Sequence, residues 1–384
     1  MKNKKLILKF IKHIFDILFF WKKFKKFKKE KVKKILVISE YLGDVVVTSS
    51  FLKNLRYNFP EVEITLQCRK EAKDVAECIP FVDKIIVVNF PFGLKFRESD
   101  GYLAILKYII RNLNKYDVVF SLSGTIYNPI LIFCGRYLVG SEGKFSFSFD
   151  FLLDKKVKRD KNKHVVERYL DLLKALNLKI YDKRLELKID EQYYKSLKNK
   201  LNFIDFDKDF VIVCHPRGGH VYKDWPFEYW NKLNNKILKD FPDVKILYGG
   251  SKNEYNDLNK NIKFDNKNIY NIAGELSLKE YFALIDLCDL LISVDTSAVH
   301  ARAAFNKYLI GLYSGNNANE WDPYTDKKTV FKDVSCDKYP CYLLQAQLMG
   351  LKPCPYGYPA PCMKNIKPDE IYKKVKEYIL RNKK

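Results

Sequence analysis

The sequence lacks the short signatures that usually assign a basic protein of this size. It has no RRM, KH or zinc-finger signature, which argues against nucleic-acid binding despite a net charge of +23. Its first 34 residues hold no apolar run near the roughly 20 residues that span a bilayer. No small-residue cleavage site follows them, so a secretory signal peptide is not expected. The nine cysteines include no C-x2-C pair of the kind found in common zinc sites.

The glycine-rich dinucleotide fingerprint is missing from the place where the first predicted βα unit would carry it. The apolar run Leu36 to Ile38 meets a short loop and then a helix-like segment, as a nucleotide-binding unit does. That turn holds a single glycine, Gly43, followed at once by Asp44, instead of G-x-G-x-x-G. A carboxylate therefore stands where a dinucleotide fold would bring its backbone close to a pyrophosphate.

The rest of the chain alternates short β-rich runs with helical patterns, which predicts βαβ units and parallel sheets. A charged stretch without strong strands, residues 181–208, interrupts the alternation, and a length of 384 residues suits two domains. We therefore predict two α/β halves with a cleft between them and ligands at the carboxyl ends of the strands. The predicted segments are a basic amphipathic arm at 1–34, an N-terminal Rossmann-like domain at 35–200, a C-terminal Rossmann-like domain at 201–366 and a closing helix at 367–384.

Positive charge is concentrated in the first 34 residues. Fourteen lysines against two acids leave +12 of the total charge of +23 in this arm. Its apolar residues recur at helical spacing, at Ile7, Ile11, Ile14, Leu18 and Trp21. A basic amphipathic helix of this kind is typical of the membrane interface, and the alternative is a helix packed on its own domain. We expect the arm to bind an anionic membrane surface.

The cysteines fall into two groups. Five lie mostly in apolar runs and are expected to be small core residues, namely Cys68, Cys78, Cys134, Cys214 and Cys288. The other four, Cys336, Cys341, Cys354 and Cys362, are spaced C-x4-C-x12-C-x7-C. This spacing favours packing or reversible disulfides over a structural metal, and nine cysteines without a signal peptide favour a reducing compartment.

The loop at residues 215–226, HPRGGHVYKDWP, follows a predicted strand and combines glycines with cations. Gly218 and Gly219 are expected to point backbone N–H groups inward as an anion nest, and Arg217 and Lys223 add positive charge. The loop ends in a proline that suits a helix start. These features fit a phosphate site, and a plain surface loop with ordinary charges fits them equally well.

Two further strand ends carry polar residues. Asp295 and Thr296 end an apolar strand and open a small-residue helix, either as helix caps or as an anion site at the helix N-terminus. His300 lies four residues after Thr296, on the same helix face. Glu254 follows the strand that ends at Gly249 and Gly250, where it either accepts hydrogen bonds from ribose hydroxyls or favours the helix dipole.

Together these blocks resemble glycosyltransferase family 9, the heptosyltransferases that build the inner core of bacterial lipopolysaccharide. The resemblance covers most of residues 34–375 and rests on four motifs in order, ILVISEYLGDVVVTSSFLKNLRYNFPEVEITL, HPRGGHVYKDWP, ILYGGSKNE and NIAGELSLKEYFALIDLCDLLISVDTSAVHARAA. It implies a GT-B fold, in which two Rossmann-like domains face each other across a cleft. It also implies an ADP-activated heptose as donor substrate, inversion of the anomeric centre, and no metal or other cofactor. Residues 35–200 would form the acceptor domain and residues 201–366 the nucleotide-sugar domain.

The resemblance also implies roles for individual residues. Asp44 is the general base that takes the proton from an acceptor hydroxyl, since an ordinary carboxylate is ionised at pH 7. Lys223 and the Thr296 backbone hold the departing diphosphate. Asp295 contacts the donor sugar and Glu254 the ribose. The implied set is completed by Gly43 in the acceptor-side loop and, on the donor side, by Arg217, Gly218, Gly219, Ser297 and His300.

Two departures from the family pattern concern the donor sugar. The family usually reads D-T-G-x-x-H, in which Ser297 replaces the glycine here, and GLYSGNN at residues 311–317 replaces a G-P-T type loop. Base and phosphate residues are intact, which favours an active enzyme over a nucleotide-sugar-binding relative without catalysis. The other alternative, a basic nucleic-acid-binding protein, is disfavoured because the charge lies mainly in the arm. The expected partners are a nucleotide sugar, a lipid-linked glycan acceptor and an anionic membrane, with no nucleic acid. The expected location is the cytoplasmic face of the bacterial inner membrane, as a peripheral protein.

Overall fold

The computed structural model describes residues 26–89, 101–122, 128–142, 149–160, 162–315, 318–341 and 354–382. The predicted basic arm falls mostly on residues 1–25, outside the described residues. Its last part forms one turn of 3-10 helix at Lys29–Lys31, ahead of the first strand. Within these ranges no helix is both long and apolar enough to cross a membrane. The chain divides into two compact units, residues 1–183 and 184–384.

The first unit is built on six strands. They are β1 Lys34–Ile38, β2 Glu63–Cys68, β3 Lys84–Val87, β4 Tyr116–Ser121, β5 Gly135–Ser141 and β6 Lys155–Val157. All neighbouring strands pair in parallel, in the spatial order β3-β2-β1-β4-β5-β6. Four of the five side chains of β1 are completely buried. That burial is expected for a central parallel strand covered by helices on both faces.

Helices connect the strands of the first unit. They are α1 Leu42–Asn58, α2 Lys73–Ala76, α3 Gly101–Asn112, α4 Asn128–Cys134 and α5 Val165–Lys174. α1 packs against α5. It also makes polar contacts with the segment that follows α5. The Nζ of Lys53 lies 3.1 Å from the Asp182 carboxylate, and the backbone N–H of Tyr181 donates to the Asn54 side chain at 2.6 Å. Polar residues of α1 thus attach the last residues of this unit, Tyr181 and Asp182, to its first helix.

The second unit repeats the same architecture. Its strands are β7 Val211–His215, β8 Lys245–Tyr248, β9 Ile269–Asn271, β10 Leu290–Val294, β11 Leu309–Tyr313 and β12 Lys328–Lys332. They pair in parallel in the order β12-β11-β10-β7-β8-β9. Numbered within its own unit, each sheet therefore runs third, second, first, fourth, fifth, sixth. This is the doubly wound Rossmann order, and it confirms the predicted α/β class with two Rossmann-like units.

Helices of the second unit cover both faces of its sheet. They are α6 Glu191–Lys200, α7 Phe227–Asp240, α8 Tyr255–Asn261, α9 Leu278–Leu287, α10 Ser297–Ala304, α11 Ala318–Trp321, α12 Pro361–Asn365 and α13 Pro368–Asn382. The closing helix α13 packs on α7 and buries Ile371, Val375 and Ile379 completely. Spacing of four residues places these three side chains on one helix face.

The segment before β7 groups with the second unit. The hydroxyl of Ser196 in α6 donates to the Glu280 carboxylate of α9 at 2.6 Å, and Lys200 lies 2.8 Å from the same carboxylate. The hydroxyl of Tyr194 donates to Asp286 at 2.7 Å. Residues 184–200 therefore belong to the second unit, whereas the boundary predicted from the sequence lies after residue 200.

Candidate functional site

The switch point of the second sheet lies between β7 and β10. The loop after β7 carries the glycine and cation motif, residues 215–226, and the loop after β10 carries Asp295 and Thr296. The loop with Glu254 follows β8, which pairs with β7 on its other side. The fold therefore brings three of the four predicted loops to one sheet edge, where doubly wound sheets bind ligands.

Lys223 and Asp295 form an ion pair at this edge. Lys223 ends a 3-10 turn, Val221–Lys223, and its Nζ lies 2.7 Å from Oδ2 of Asp295. The same Nζ donates to the backbone oxygen of Asp295 at 3.3 Å. Because Asp295 is only 6% exposed, this pair interacts more strongly than an ion pair in bulk water. A flexible cation is thus positioned at the switch point.

Thr296 begins the helix beside this pair. It is the N-cap of α10, and its Oγ1 accepts a hydrogen bond from the N–H of Ala298 at 3.2 Å. Ser297 is the first residue of the helix. The positive end of the helix dipole consequently lies next to Lys223. Capping by the Thr296 side chain does not prevent an anion from binding at this helix end. The N–H groups of the first turn favour such an anion.

His300 lies one turn further along α10. It is 3% exposed, and its ring meets the Trp321 ring edge-on at 6.3 Å between centroids. These surroundings are those of a packing residue. Direct contact between His300 and a donor stays a prediction.

The glycine pair of the loop after β7 does not adopt the expected nest conformation. Neither Gly218 nor Gly219 has a positive φ, and the Gly218 N–H already donates to Oδ1 of Asp224 at 2.8 Å. A nest needs successive N–H groups that converge on the anion. Gly218 is required for another reason, since an added Cβ would come within 2.8 Å of the Lys223 Cβ. The glycine lets the loop fold tightly against Lys223.

Arg217 is engaged by two carboxylates. Its Nη1 lies 3.0 Å from Asp224 and 3.0 Å from Asp257. Burial raises the pKa of Asp224 to about 7, although the Gly218 N–H and the Arg217 guanidinium both act to lower it. Asp224 was not among the predicted site residues, but an acid directly after Lys223 in a strand-end loop was a visible signal. Asp224 organises the loop that carries both cations.

Glu254 is occupied by its own helix start. Its carboxylate accepts a hydrogen bond from the Ser251 N–H at 2.6 Å, within a capping box. The capping interpretation therefore has direct support, and contact with a ribose stays a prediction.

Nearby, Nδ1 of His215 lies 2.6 Å from the Tyr281 hydroxyl. Burial lowers the pKa of His215 while the charge of Glu254 opposes this, so the imidazole is neutral at pH 7.

In the first unit, the carboxyl end of β1 leads into α1, and Gly43 and Asp44 both lie in the first turn of that helix. The Asp44 carboxylate is half-buried, at a helix end where the dipole favours negative charge. The Thr48 Oγ1 donates to the backbone oxygen of Asp44 at 2.7 Å and steadies the turn. Asp44 thus lies at the ligand edge of the first sheet, in a different unit from the predicted donor-side residues.

Arg69 is a candidate that sequence reasoning missed. It follows β2 at the same edge as Asp44 and is 1% exposed. Among the residues that the structure describes, none accepts a hydrogen bond from its three guanidinium nitrogens. The Glu71 carboxylate lies 3.7 Å from Nε, and the Tyr41 ring centroid lies 5.9 Å from the guanidinium carbon. A buried cation without hydrogen bonds is costly, which makes Arg69 a candidate to bind an anion.

The cysteines follow their two predicted groups. All nine are free thiols, and the five that were expected in the core are buried. Cys354 and Cys362 are also buried, whereas Cys336 and Cys341 are half-buried. In the described part of the chain, no three His, Cys, Asp or Glu side chains are already arranged to hold a metal ion.

Comparison with known proteins places these loops within one family pattern. The model of glycosyltransferase family 9 (heptosyltransferase) matches residues 107–349, which include the loops after β7, β8 and β10. Lipopolysaccharide heptosyltransferase 3 of Escherichia coli (strain K12) is 22% identical over 309 residues, covering 78% of this chain and 88% of that protein.

Two solved structures are similar in fold. The E. coli ADP-heptose lipopolysaccharide heptosyltransferase II superposes with a TM-score of 0.68 at 18% identity, covering 91% of this chain and 99% of that one. A glycosyl transferase family 9 protein from Veillonella parvula DSM 2008 superposes with a TM-score of 0.72 at 20% identity, covering 91% and 98%. At these identities the likeness shows a shared fold, which is the GT-B fold of two Rossmann-like domains.

Proposed function

The chain belongs to glycosyltransferase family 9, and on that premise we propose that it moves a heptose from ADP-heptose onto a lipopolysaccharide core or a related glycan. The similar E. coli proteins carry these substrates in their names. The observation that carries the proposal is the Lys223–Asp295 pair beside the N-terminus of α10, at the switch point of the second sheet.

The donor side of the reaction is assigned to the second unit. The Lys223 ammonium and the N–H groups at the start of α10 bind the diphosphate. Asp295 orients Lys223 and contacts the donor sugar. As the bond between the anomeric carbon and the phosphate oxygen breaks, negative charge grows on that oxygen. A fixed cation and aligned N–H dipoles stabilise this charge, which is the electrostatic part of catalysis.

The acceptor side is assigned to the first unit. The Asp44 carboxylate takes the proton from an acceptor hydroxyl while that oxygen attacks the anomeric carbon, and the ADP leaves from the opposite face. The configuration of that carbon is therefore inverted. Arg69, buried at the same edge, is proposed to bind an anionic group of the acceptor.

Association with the membrane is proposed from two surfaces. One is the basic arm, residues 1–34. The other is on α3, where Leu103, Leu106 and Ile110 are 76%, 55% and 66% exposed. The same helix carries Lys107 and Arg111 and no acid. An exposed apolar stripe flanked by cations suits the interface of an anionic membrane, where a lipid-linked acceptor on the cytoplasmic face would be met.

The test compares how three nucleoside diphosphates change the melting temperature of the full-length protein. ADP should raise the melting temperature in the absence of added Mg²⁺ or Mn²⁺, because Lys223 and the α10 N-terminus replace a cation. UDP and GDP should have little effect. Equal stabilisation by all three would contradict the ADP-sugar assignment, and stabilisation only with a divalent cation would contradict binding by Lys223 and the α10 N-terminus alone.

A further inference from the structure

The four carboxyl-terminal cysteines surround one small cavity in the second unit. Cys336 and Cys341 follow β12, and Cys354 and Cys362 precede and begin α12. All four line a cavity of about 20 Å³. A cavity of this volume holds about one water-sized species, so it suits a single atom or ion and no larger ligand.

The thiols share this space, unlike the other cysteines. The other five cysteines, Cys68, Cys78, Cys134, Cys214 and Cys288, do not line this cavity. Scattered core cysteines need no such grouping, because a buried thiol packs as a small apolar side chain.

A backbone hydrogen bond holds the first of the two cysteine segments against the loop after β11. The N–H of Cys341 donates to the backbone oxygen of Gly315 at 2.9 Å. A Cβ at position 315 would collide with the Cys341 sulfur, so only glycine admits this approach. Tyr222, which directly precedes Lys223, also lines the cavity.

From this geometry we propose that Cys336, Cys341, Cys354 and Cys362 bind one thiophilic divalent cation, Zn²⁺ or Fe²⁺, as a structural tetrathiolate site. Four thiolates around such an ion form a closed tetrahedral site, with metal–sulfur distances of about 2.3 Å for zinc. No three of the thiols are arranged around an ion as the described residues stand, so the ion would draw them inward by rotation about Cα–Cβ.

One cation lies beside the four cysteines. Four thiolates on a divalent cation carry a net charge of −2, and Lys338, which is itself paired with Asp337 at 3.1 Å, lines the same cavity. The site would fasten the segments on either side of residues 342–353 to Gly315 and Tyr222. The metal site would also steady the loop that presents Lys223 to the diphosphate. This consequence, unlike the site itself, rests on the proposed function.

The first measurement is the metal content of the full-length protein, purified without a metal-affinity tag and without chelator. Elemental analysis should find about one zinc or iron per chain. Replacement by Co²⁺ should produce the intense thiolate-to-cobalt absorption in the near ultraviolet and the visible bands of a tetrahedral site. Neither readout depends on transferase activity, so the metal site and the proposed function can fail separately.

Variants identify the ligands. Cys336→Ser changes a half-buried side chain and should reduce the metal content at least several-fold, as should the double variant Cys354→Ser/Cys362→Ser. Cys78→Ser is the matched control, because its sulfur donates to the backbone oxygen of Asp74 at 3.1 Å and a hydroxyl can replace it. Wild-type protein without zinc, iron or a cobalt spectrum would overturn the proposal. So would a mass showing these four cysteines joined in disulfides in protein kept under reducing conditions.

Discussion

Asp44 stands alone as the proposed base, in the first turn of α1 and at the ligand edge of the first sheet. Asp44→Asn keeps the shape and polarity of the side chain but cannot accept the proton. Transfer should fall by roughly 10²–10⁴-fold, which is the usual contribution of general base catalysis. Initial rates with saturating donor would measure this, and ADP affinity should be unchanged. Near-normal turnover would reduce Asp44 to a residue of the helix terminus.

Lys223 acts on the leaving group, so its loss should affect binding and rate together. Lys223→Ala should weaken ADP binding by roughly 10–100-fold, as expected for one lost hydrogen bond to a charged group, and slow transfer as well. Calorimetric titration with ADP measures the first effect. Lys239→Ala, an exposed lysine at the end of α7, is the control for loss of one positive charge. Equal ADP affinity in the Lys223 variant and the wild type would exclude Lys223 from the site.

The residue types at strand ends were predictable, whereas their contacts were not. Asp295 and Lys223 could be selected because each follows an apolar strand or lies in its loop. Their 2.7 Å pairing depends on β7 and β10 being neighbours, which no local pattern reveals. Arg69 could not be selected by type, since an arginine after a strand is ordinary until its burial is known.

At the scale of elements, the central strands β1, β7 and β10 were predictable, whereas the edge strands β6 and β12 were not. β1, β7 and β10 are continuous apolar runs because parallel strands are buried on both faces. β6 and β12 begin with lysines and lie at sheet edges, where charged residues reduce unwanted pairing, so they read as polar loops. β5 begins with glycine and has a second glycine next to its last residue, which hides the strand pattern.

Glu280 fastens α6 to α9, and its charge should make that attachment depend on pH. Burial raises the pKa of Glu280, but hydrogen bonds from Lys200, Ser196 and Ser277 outweigh it and lower the pKa to about 2. The ionised carboxylate therefore contributes stability above its ordinary pKa of 4.5, and this contribution is lost as the pH falls through that range toward 2.

Glu280→Gln should accordingly lower the free energy of unfolding by roughly 1–3 kcal/mol at pH 7, and the difference should narrow below pH 5. Denaturant unfolding of the variant and wild type at several pH values measures it. Glu228→Gln, at an exposed position in the first turn of α7, is the control. A difference that stayed constant between pH 7 and pH 3 would show that the lost contacts are not ionic.

At the scale of the whole molecule, the two units repeat one strand order. The repeated alternation made this architecture predictable. The division of the chain was less so, because α6 is polar and its attachment to the second unit runs through hydrogen bonds. Most of the arm, residues 1–25 of 1–34, lies outside the described residues, and its role is proposed from the sequence.

Membrane binding belongs to this scale because the acceptor is proposed to be lipid-linked. The full-length protein should sediment with anionic liposomes and come off partly in high salt, since each lysine near the surface contributes about 1 kcal/mol that salt screens. Deletion of residues 1–25 should remove most of this binding, and Leu106→Gln/Ile110→Gln on α3 should reduce it. Sedimentation of both variants equal to that of the intact protein would place the membrane contact elsewhere.

The most direct test of the central claim is transfer itself. The full-length protein is incubated with ADP-heptose and a delipidated core glycan without added divalent metal, and ADP release, acceptor mass and anomeric configuration are measured. We predict one ADP for each heptose added, with the configuration opposite to that of the donor. The proposed function would be contradicted by release of ADP without a heavier acceptor, by transfer with retained configuration, or by transfer from a UDP-sugar in preference to ADP-heptose.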